Sequence, residues 1–407
     1  MLIGLGAHWR RAALAALALC CASAALAQGK AYVSNFKDNT VSVVDLATGA
    51  VTATVPVAAG PHGMSMSGDG RLVYVTGDAA SGMSVIDTAT DRVVRTIEVG
   101  KSPHGVALTP DGRSLLVGVY GDDKVAVVDT ATQAVVGTIP VGKPHTIAVR
   151  PDGKVAYVAS QEPGKFALVV VDLATRTAAG TIALDKPPRD LEFGAGGKAL
   201  YFTKAGVNAV QVLDPGSDRV VAEIATGPSP HLATVFGNAK FGTAVVQGPG
   251  ELALFDPATN AVVKSIAVGK QPHWMASADG RVVVVTNEGS NDVTVVDLAS
   301  GTTRTIAVGN APRKVVVQSA QAPRAGAAKV SIANFAFAPG DLVVAPGGKV
   351  LWANDDGAPH GLAFKDGAPG VDPLLPGATF ERRFDRAGTY EYVCSVHPYM
   401  TGRVVVR

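Results

Sequence analysis

From residue 29 to 318 hydrophobic and polar positions alternate in short runs, and no stretch has the three-to-four-residue spacing of an amphipathic helix. Runs such as Val41-Ser42-Val43-Val44 and Val282 to Thr286 are β-branched and bounded by Gly, Asn and Asp, so they predict short strands. An aspartate closes such a run seven times, at Asp45, Asp87, Asp129, Asp172, Asp214, Asp256 and Asp297, with successive gaps of 41 to 43 residues. A second marker recurs in phase: Gly68-Asp69-Gly70, Pro110-Asp111-Gly112, Pro151-Asp152-Gly153 and Ala278-Asp279-Gly280 read as tight turns between strands. A period near 42 residues holding four strands is a propeller blade. The chain enters the pattern at a second-strand segment, Ala31 to Asn35, and leaves it with a first-strand segment, Lys314 to Gln318, so its two ends complete one blade. The fold class expected is all-β, beginning with a seven-bladed β-propeller.

The repeats carry Tyr32-Val33-Ser34-Asn35, Tyr74-Val75-Thr76 and Val284-Val285-Thr286-Asn287. In these motifs residues 29 to 318 resemble the YVTN family of propellers. That resemblance implies the fold and leaves the activity open, since propellers host many functions.

One position in each blade draws attention. The loop leading into each first strand reads Pro61-His62, Pro103-His104, Pro144-His145, Pro188-Arg189, Pro230-His231, Pro272-His273 and Pro312-Arg313. Side chains at the start of the innermost strands converge on the mouth of the central channel. Five imidazoles and two guanidinium groups there could take a metal or a small anionic ligand, and Asp122, Asp123, Glu162, Glu288 and Asp292 lie on loops of the same face. Simple duplication of a loop residue would give the same pattern.

The chain's 407 residues are 47% hydrophobic and 17% charged, enough for more than one core, which excludes a disordered chain. Beyond residue 27, 34 basic side chains balance 34 acidic ones, giving no general attraction to nucleic acid or an anionic membrane. Residues 1–27 read as a cleavable secretory signal: Arg10-Arg11, an apolar run to about Leu19, then Ala25-Leu26-Ala27. No membrane span is expected after cleavage, and the location expected is periplasmic or secreted; Ala12 and Ala13 after the arginine pair match a twin-arginine signal poorly, and the choice between Sec and Tat export stays open. Two of the three cysteines fall in that signal, which leaves Cys394 alone in the mature chain. A lone thiol in an oxidising compartment points to a metal ligand or a nucleophile.

The blade pattern occupies residues 28–318, Ser319 to Ala328 read as a linker, and residues 329–407 as a small β-sandwich. Its candidate strands are Val330–Ala333, Leu342–Ala345, Lys349–Ala353, Thr379–Phe384, Gly388–Cys394 and Gly402–Val406. Here Cys394-Ser395-Val396-His397-Pro398-Tyr399-Met400 combines with His360 on an earlier loop. A thiolate, two imidazoles and a thioether suit one copper ion in both oxidation states. A Cys-His pair could also serve a thiol nucleophile, and the nitrogen and sulfur donors could hold zinc.

With Trp352-Ala353-Asn354, Pro359-His360 and Gly388-Thr389-Tyr390-Glu391-Tyr392, residues 329–407 resemble cupredoxins of the plastocyanin and amicyanin type. The resemblance implies one type 1 copper held by His360, Cys394 and His397, with Met400 axial. Asn354 is a candidate for tying the two ligand loops together, an ordinary turn asparagine being the alternative. The resemblance also places His397 at the solvent edge, where Pro359, Pro398 and Tyr399 form an apolar patch for a redox partner protein. A His-bearing propeller joined to a cupredoxin domain is also similar to nitrous oxide reductase, whose copper pair needs two cysteines; one cysteine implies a mononuclear site. The function expected is exported one-electron transfer, with the propeller as docking platform or second ligand site, including a second metal. The alternatives are an oxidoreductase centred on the His/Arg ring and fed by the copper domain, and a non-catalytic copper carrier or scaffold.

Overall fold

The computed structural model describes residues 29–237, 239–319, 328–344 and 347–406. The signal reading, most of the linker reading and Ala345 lie outside the described residues. Seven four-stranded antiparallel sheets are present among those described, and helix is confined to two single 3-10 turns, at Tyr120–Asp122 and Ala195–Gly197.

Six sheets run in simple chain order, as in Pro61–Met66, Leu72–Gly77, Gly82–Asp87 and Arg92–Glu98. The seventh is composite. Pro312–Ser319 pairs antiparallel with Gly29–Asn35, setting Ala31 opposite Val317 and Tyr32 opposite Val316, and the next two strands follow at Thr40–Asp45 and Ala50–Pro56. The recurring aspartates prove to be turn caps. Asp45 Oδ1 accepts the Thr48 amide and hydroxyl at 2.7 and 2.9 Å, and Asp87, Asp129 and Asp172 do the same three residues on. In the other turn, Gly70, Gly112, Gly153 and Gly280 have φ between +69° and +73°, which is why glycine ends that motif.

Apolar residues concentrate between blades. Tyr74, Met83, Val85 and Ile97 of one blade pack on Leu115, Val117 and Val119 of the next. Fourth strands are mostly exposed but each keeps an inward anchor such as Val55, Ile97, Ile139, Ile224, Ile266 or Ile306. Burying each anchor is worth roughly 1.5–3 kcal/mol. First strands line a central cavity of about 510 Å³ that begins one or two residues beyond the His/Arg position.

The C-terminal domain is a sandwich of two sheets. One orders Ala336–Ala338, Ala328–Ala333, Gly348–Asn354 and Thr379–Phe384; the other orders Asp341–Val344, Thr401–Val406, Gly388–Val393, His360–Phe364 and Val371–Leu374. Three of these strands exceed the expected set, because Ala336–Ala338, His360–Phe364 and Val371–Leu374 are three to five residues long, too short to show a period. Trp352, fully buried, centres the core with Tyr392 and Phe364 edge-on at 5.2 and 5.4 Å.

Candidate metal centre and channel ring

The C-terminal sequence motif falls at one end of the second sheet. Cys394 directly follows Gly388–Val393 and Met400 directly precedes Thr401–Val406; Val393 faces Thr401 across the ladder. Cys394 N–H donates to the Met400 carbonyl at 3.0 Å and Met400 N–H to the His397 carbonyl at 2.9 Å, so the seven-residue span closes on itself as a loop. His360 opens the neighbouring strand instead of lying on a loop, and Ala363 pairs with Val393. Adjacent strands thus deliver the donors to one point.

There Cys394 Sγ stands 3.7 Å from both His360 Nδ1 and His397 Nδ1, and the three donor atoms lie within 4.8 Å of one another. Edges of that length fit two bonds of roughly 2.0 and 2.3 Å meeting near 120° on one ion. Cys394 and His360 are fully buried and Met400 nearly so, while His397 is half-buried. The His397 amide donates to Cys394 Sγ at 3.3 Å, which fixes the sulfur within the loop. Asp356 turns the other His360 nitrogen, Nε2, by a 3.0 Å contact, and its own carboxylate accepts the Phe335 and Asn334 amides at 2.9 and 2.8 Å. Those contacts hold the Asp356 carboxyl below its ordinary range, the Phe335 amide contributing most.

Residues 325–407 match the plastocyanin/azurin family of copper-binding proteins. The chain is 35% identical over 96 residues to amicyanin-alpha of Methylorubrum extorquens, an alignment covering 22% of this chain and 80% of that protein. Amicyanin of Paracoccus versutus is 33% identical over 95 residues, covering 22% and 71%. The chain belongs to the plastocyanin/azurin family of copper-binding proteins. Its family domain is the C-terminal one. Residues 10–111 match a YNCE-like β-propeller, and hydrazine synthase of Kuenenia stuttgartiensis superposes with a TM-score of 0.60 at 21% identity, covering 66% of this chain and 92% of that one. At that identity the likeness is one of fold.

Around the cupredoxin donors, Asn354 departs from its expected role. Its Nδ2 donates to the Ala358 and Leu374 carbonyls, both at 2.9 Å, and its Oδ1 accepts the Asp356 amide, so its bonds brace the His360 side and do not reach the loop at Cys394. Contact between the two ligand segments is made at Gly361, where any Cβ would collide with Ser395 Oγ. Sequence reading passed over Asp356, Gly361 and Phe335. The cue for Asp356 was an acid four residues before a candidate ligand. Phe335, half-exposed, sets its ring edge-on to His397 at 5.0 Å and near His360 at 5.5 Å. With exposed Pro359, Val396, Pro398 and Tyr399 it makes an apolar rim beside His397.

At the propeller mouth the seven ring residues do not act as one crown. Threonine hydroxyls set the spacing: Thr76 Oγ1 accepts the Gly63 amide and donates to the His104 carbonyl of the next blade, and Thr203 and Thr286 donate likewise to His231 and Arg313. His62, His104 and His145, from three successive blades, form one group with ring centroids 4.5 to 5.5 Å apart. His231 and His273 form a second, 4.0 Å apart.

Both arginines are otherwise engaged. Arg313 pairs with Glu288 at 3.1 Å and lies over Phe36, while Arg189 reaches Ser229 and Gln247. Of the acids expected at the mouth, Glu288 alone touches a ring residue among the described contacts. Asp122 and Asp123 cap the Lys101 and Lys143 amides, Glu162 pairs with Lys165, and Asp292 accepts from Asn287. Asp78 and Asp190 hold the histidines instead, at 2.8 Å from His104 Nε2 and 2.6 Å from His231 Nδ1.

Lys314, one residue past Arg313, is buried beside Asp190 at 3.5 Å and over Trp274. Burial brings Lys314 down to about 8, against the pull of Asp190. Burial would raise Asp190, yet Lys314 and His231 outweigh it and hold that carboxyl well below its ordinary range. Glu192, lining the cavity, is pushed up to about 7 by burial, with Lys314 opposing. Burial also holds His62 well below the ordinary imidazole range, His104 adding to it, and takes His145 down to about 4.

Proposed function

We propose that the protein is an exported one-electron carrier working at the C-terminal donor cluster, with His360, Cys394 and His397 as strong ligands and Met400 as the weak axial one. The observation that carries this reading is a fully buried Cys394 sulfur equidistant from two imidazole nitrogens at 3.7 Å. Copper bound there supplies a reversible one-electron couple. Everything else is done by the chain. Burial of Cys394, His360 and Met400 excludes water, and the bonds linking Cys394, His397 and Met400 hold the loop in one shape. A cradle that does not rearrange keeps the cost of gaining or losing charge small.

His397 is the exit. Phe335, Pro359, Val396, Pro398 and Tyr399 surround it with exposed apolar surface suited to brief docking of a redox partner protein. The basic-then-apolar leader and the lone mature cysteine support a periplasmic or secreted site of action. The propeller contributes a platform that carries a ligand site of its own. Copper-loaded protein is expected to show an intense visible band that Cys394→Ser abolishes. Tyr399→Glu should slow electron exchange with a partner or a mediator protein at least several-fold while leaving the band intact. A colourless loaded protein overturns the copper reading, and equal loss of band and rate in Tyr399→Glu overturns the docking surface.

A further inference from the structure

We propose that His62, His104 and His145 form a second metal site at the propeller mouth, a three-imidazole seat for a borderline divalent transition ion, Zn²⁺ or Cu²⁺. Three successive blades each present one imidazole, and one nitrogen from each lies within 4.8 Å of the others. The approach is built into the backbone. A Cβ at Gly63 would strike the His104 carbonyl, and one at Gly105 would meet the His145 carbonyl, so glycine after the first two histidines lets three blade entrances crowd together.

The outer nitrogens are already committed. Asp78 Oδ1 holds His104 Nε2 at 2.8 Å, and the Arg189 carbonyl holds His145 Nδ1 at 3.0 Å. Fixing one ring nitrogen to a carboxylate or carbonyl is how ligating histidines are oriented, and it leaves His104 Nδ1 and His145 Nε2 as the nitrogens open to an ion. His104 Nδ1 is buried without a partner, as is Nδ1 of His62, a residue only 5% exposed.

A purely structural cluster would be costly, since each unmet buried polar atom costs about 1–3 kcal/mol. The opposite side of the same ring differs in its charges, although His273 Nδ1 is likewise buried there without a partner. There Asp190 lies 2.6 Å from His231, and Lys314 is answered by the same acid. No carboxylate contacts His62 among the described residues. Three nitrogen donors without a thiolate suit Zn²⁺ and Cu²⁺ over hard cations such as Mg²⁺ or Ca²⁺. A set of three also leaves a coordination position for water or a small ligand.

The test is metal counting on the full chain. Metal-stripped protein is titrated with Cu²⁺ until the visible band of the C-terminal centre saturates, desalted, then titrated with Zn²⁺ or further Cu²⁺ and assayed by calorimetry and elemental analysis. A second metal equivalent per chain, whether taken up as Cu²⁺ in the first titration or as either ion in the second, is expected to bind without increasing that band. Retention of either ion supports the site, and competition between them decides which is preferred. His104→Gln with His145→Gln should lose the added equivalent and keep the band. Asp78→Asn, which retains all three imidazoles, should weaken it 10–100-fold. His62→Gln repeats the measurement should the double variant fail to melt as a folded propeller. No added equivalent in the unaltered chain, or an undiminished one in these variants, overturns the inference while leaving the visible band, and with it the copper reading, standing.

Discussion

Gly361 and Ser395 show how little space separates the two halves of the copper cradle. Gly361 follows one candidate ligand, His360, and Ser395 follows another, Cys394, and a Cβ at Gly361 would meet Ser395 and the Val371 carbonyl. Gly361→Val should force the segments apart. We expect the visible band to shift or weaken and copper to be lost at least 10-fold more readily, while propeller unfolding is unchanged; separate melting of the two domains, followed at the copper band and in the far ultraviolet, checks this. The clustered thiol and two imidazoles were legible because cysteine and histidine are scarce and their spacing is distinctive. Gly361 was not, because nothing in a glycine codon position announces a close approach between segments 34 residues apart. Asp356 was hidden for a related reason: its role depends on the amides of Asn334 and Phe335, some 20 residues upstream.

At the scale of the blade, one hydroxyl does the work that places the ring. Thr76 joins the Gly63 amide of its own blade to the His104 carbonyl of the next, and Thr203 and Thr286 repeat the link to His231 and Arg313. Thr76→Val keeps the shape and deletes the bridge, leaving buried backbone groups unmet, so it should cost about 1–3 kcal/mol by denaturant unfolding. A loss below a few tenths would show that the blades hold register without it. Strand count, blade count and closure were readable from the repeat, since each depends on local alternation and on turn residues such as Asp45 and Gly70. The short strand His360–Phe364 escaped because five residues with one glycine carry no period. The direction of the ring side chains escaped too. Arg189 and Arg313 occupy the same repeat position as the histidines, but Gln247 and Glu288, on other segments, draw them aside.

For the whole molecule, the channel interior is where pH should be felt. The folded protein keeps the Glu192 proton up to about 7, whereas an unfolded glutamate releases it near 4.5. The contribution of Glu192 is therefore complete below 4.5 and is lost as pH rises to about 7. Glu192→Gln should raise stability at pH 8, by up to about 3 kcal/mol, and change it little at pH 4.5; denaturant midpoints at the two values decide. Equal midpoints for variant and parent at pH 8 would mean that Lys314 keeps the carboxylate ionised at no cost. These buried charges were invisible in the sequence because Asp190, Glu192 and Lys314 sit in strands whose alternation reads as ordinary wall.

The composite blade adds a consequence for biogenesis. Gly29–Asn35 is the earliest blade strand to be made, yet its inner neighbour, Pro312–Ser319, is made some 280 residues later. Until then one strand keeps a bare row of amides and carbonyls, a template for wrong partners. Synthesis that stalls before Pro312 should leave six finished sheets and a three-stranded seventh, so the fastener of the ring is also its proofreader of completeness.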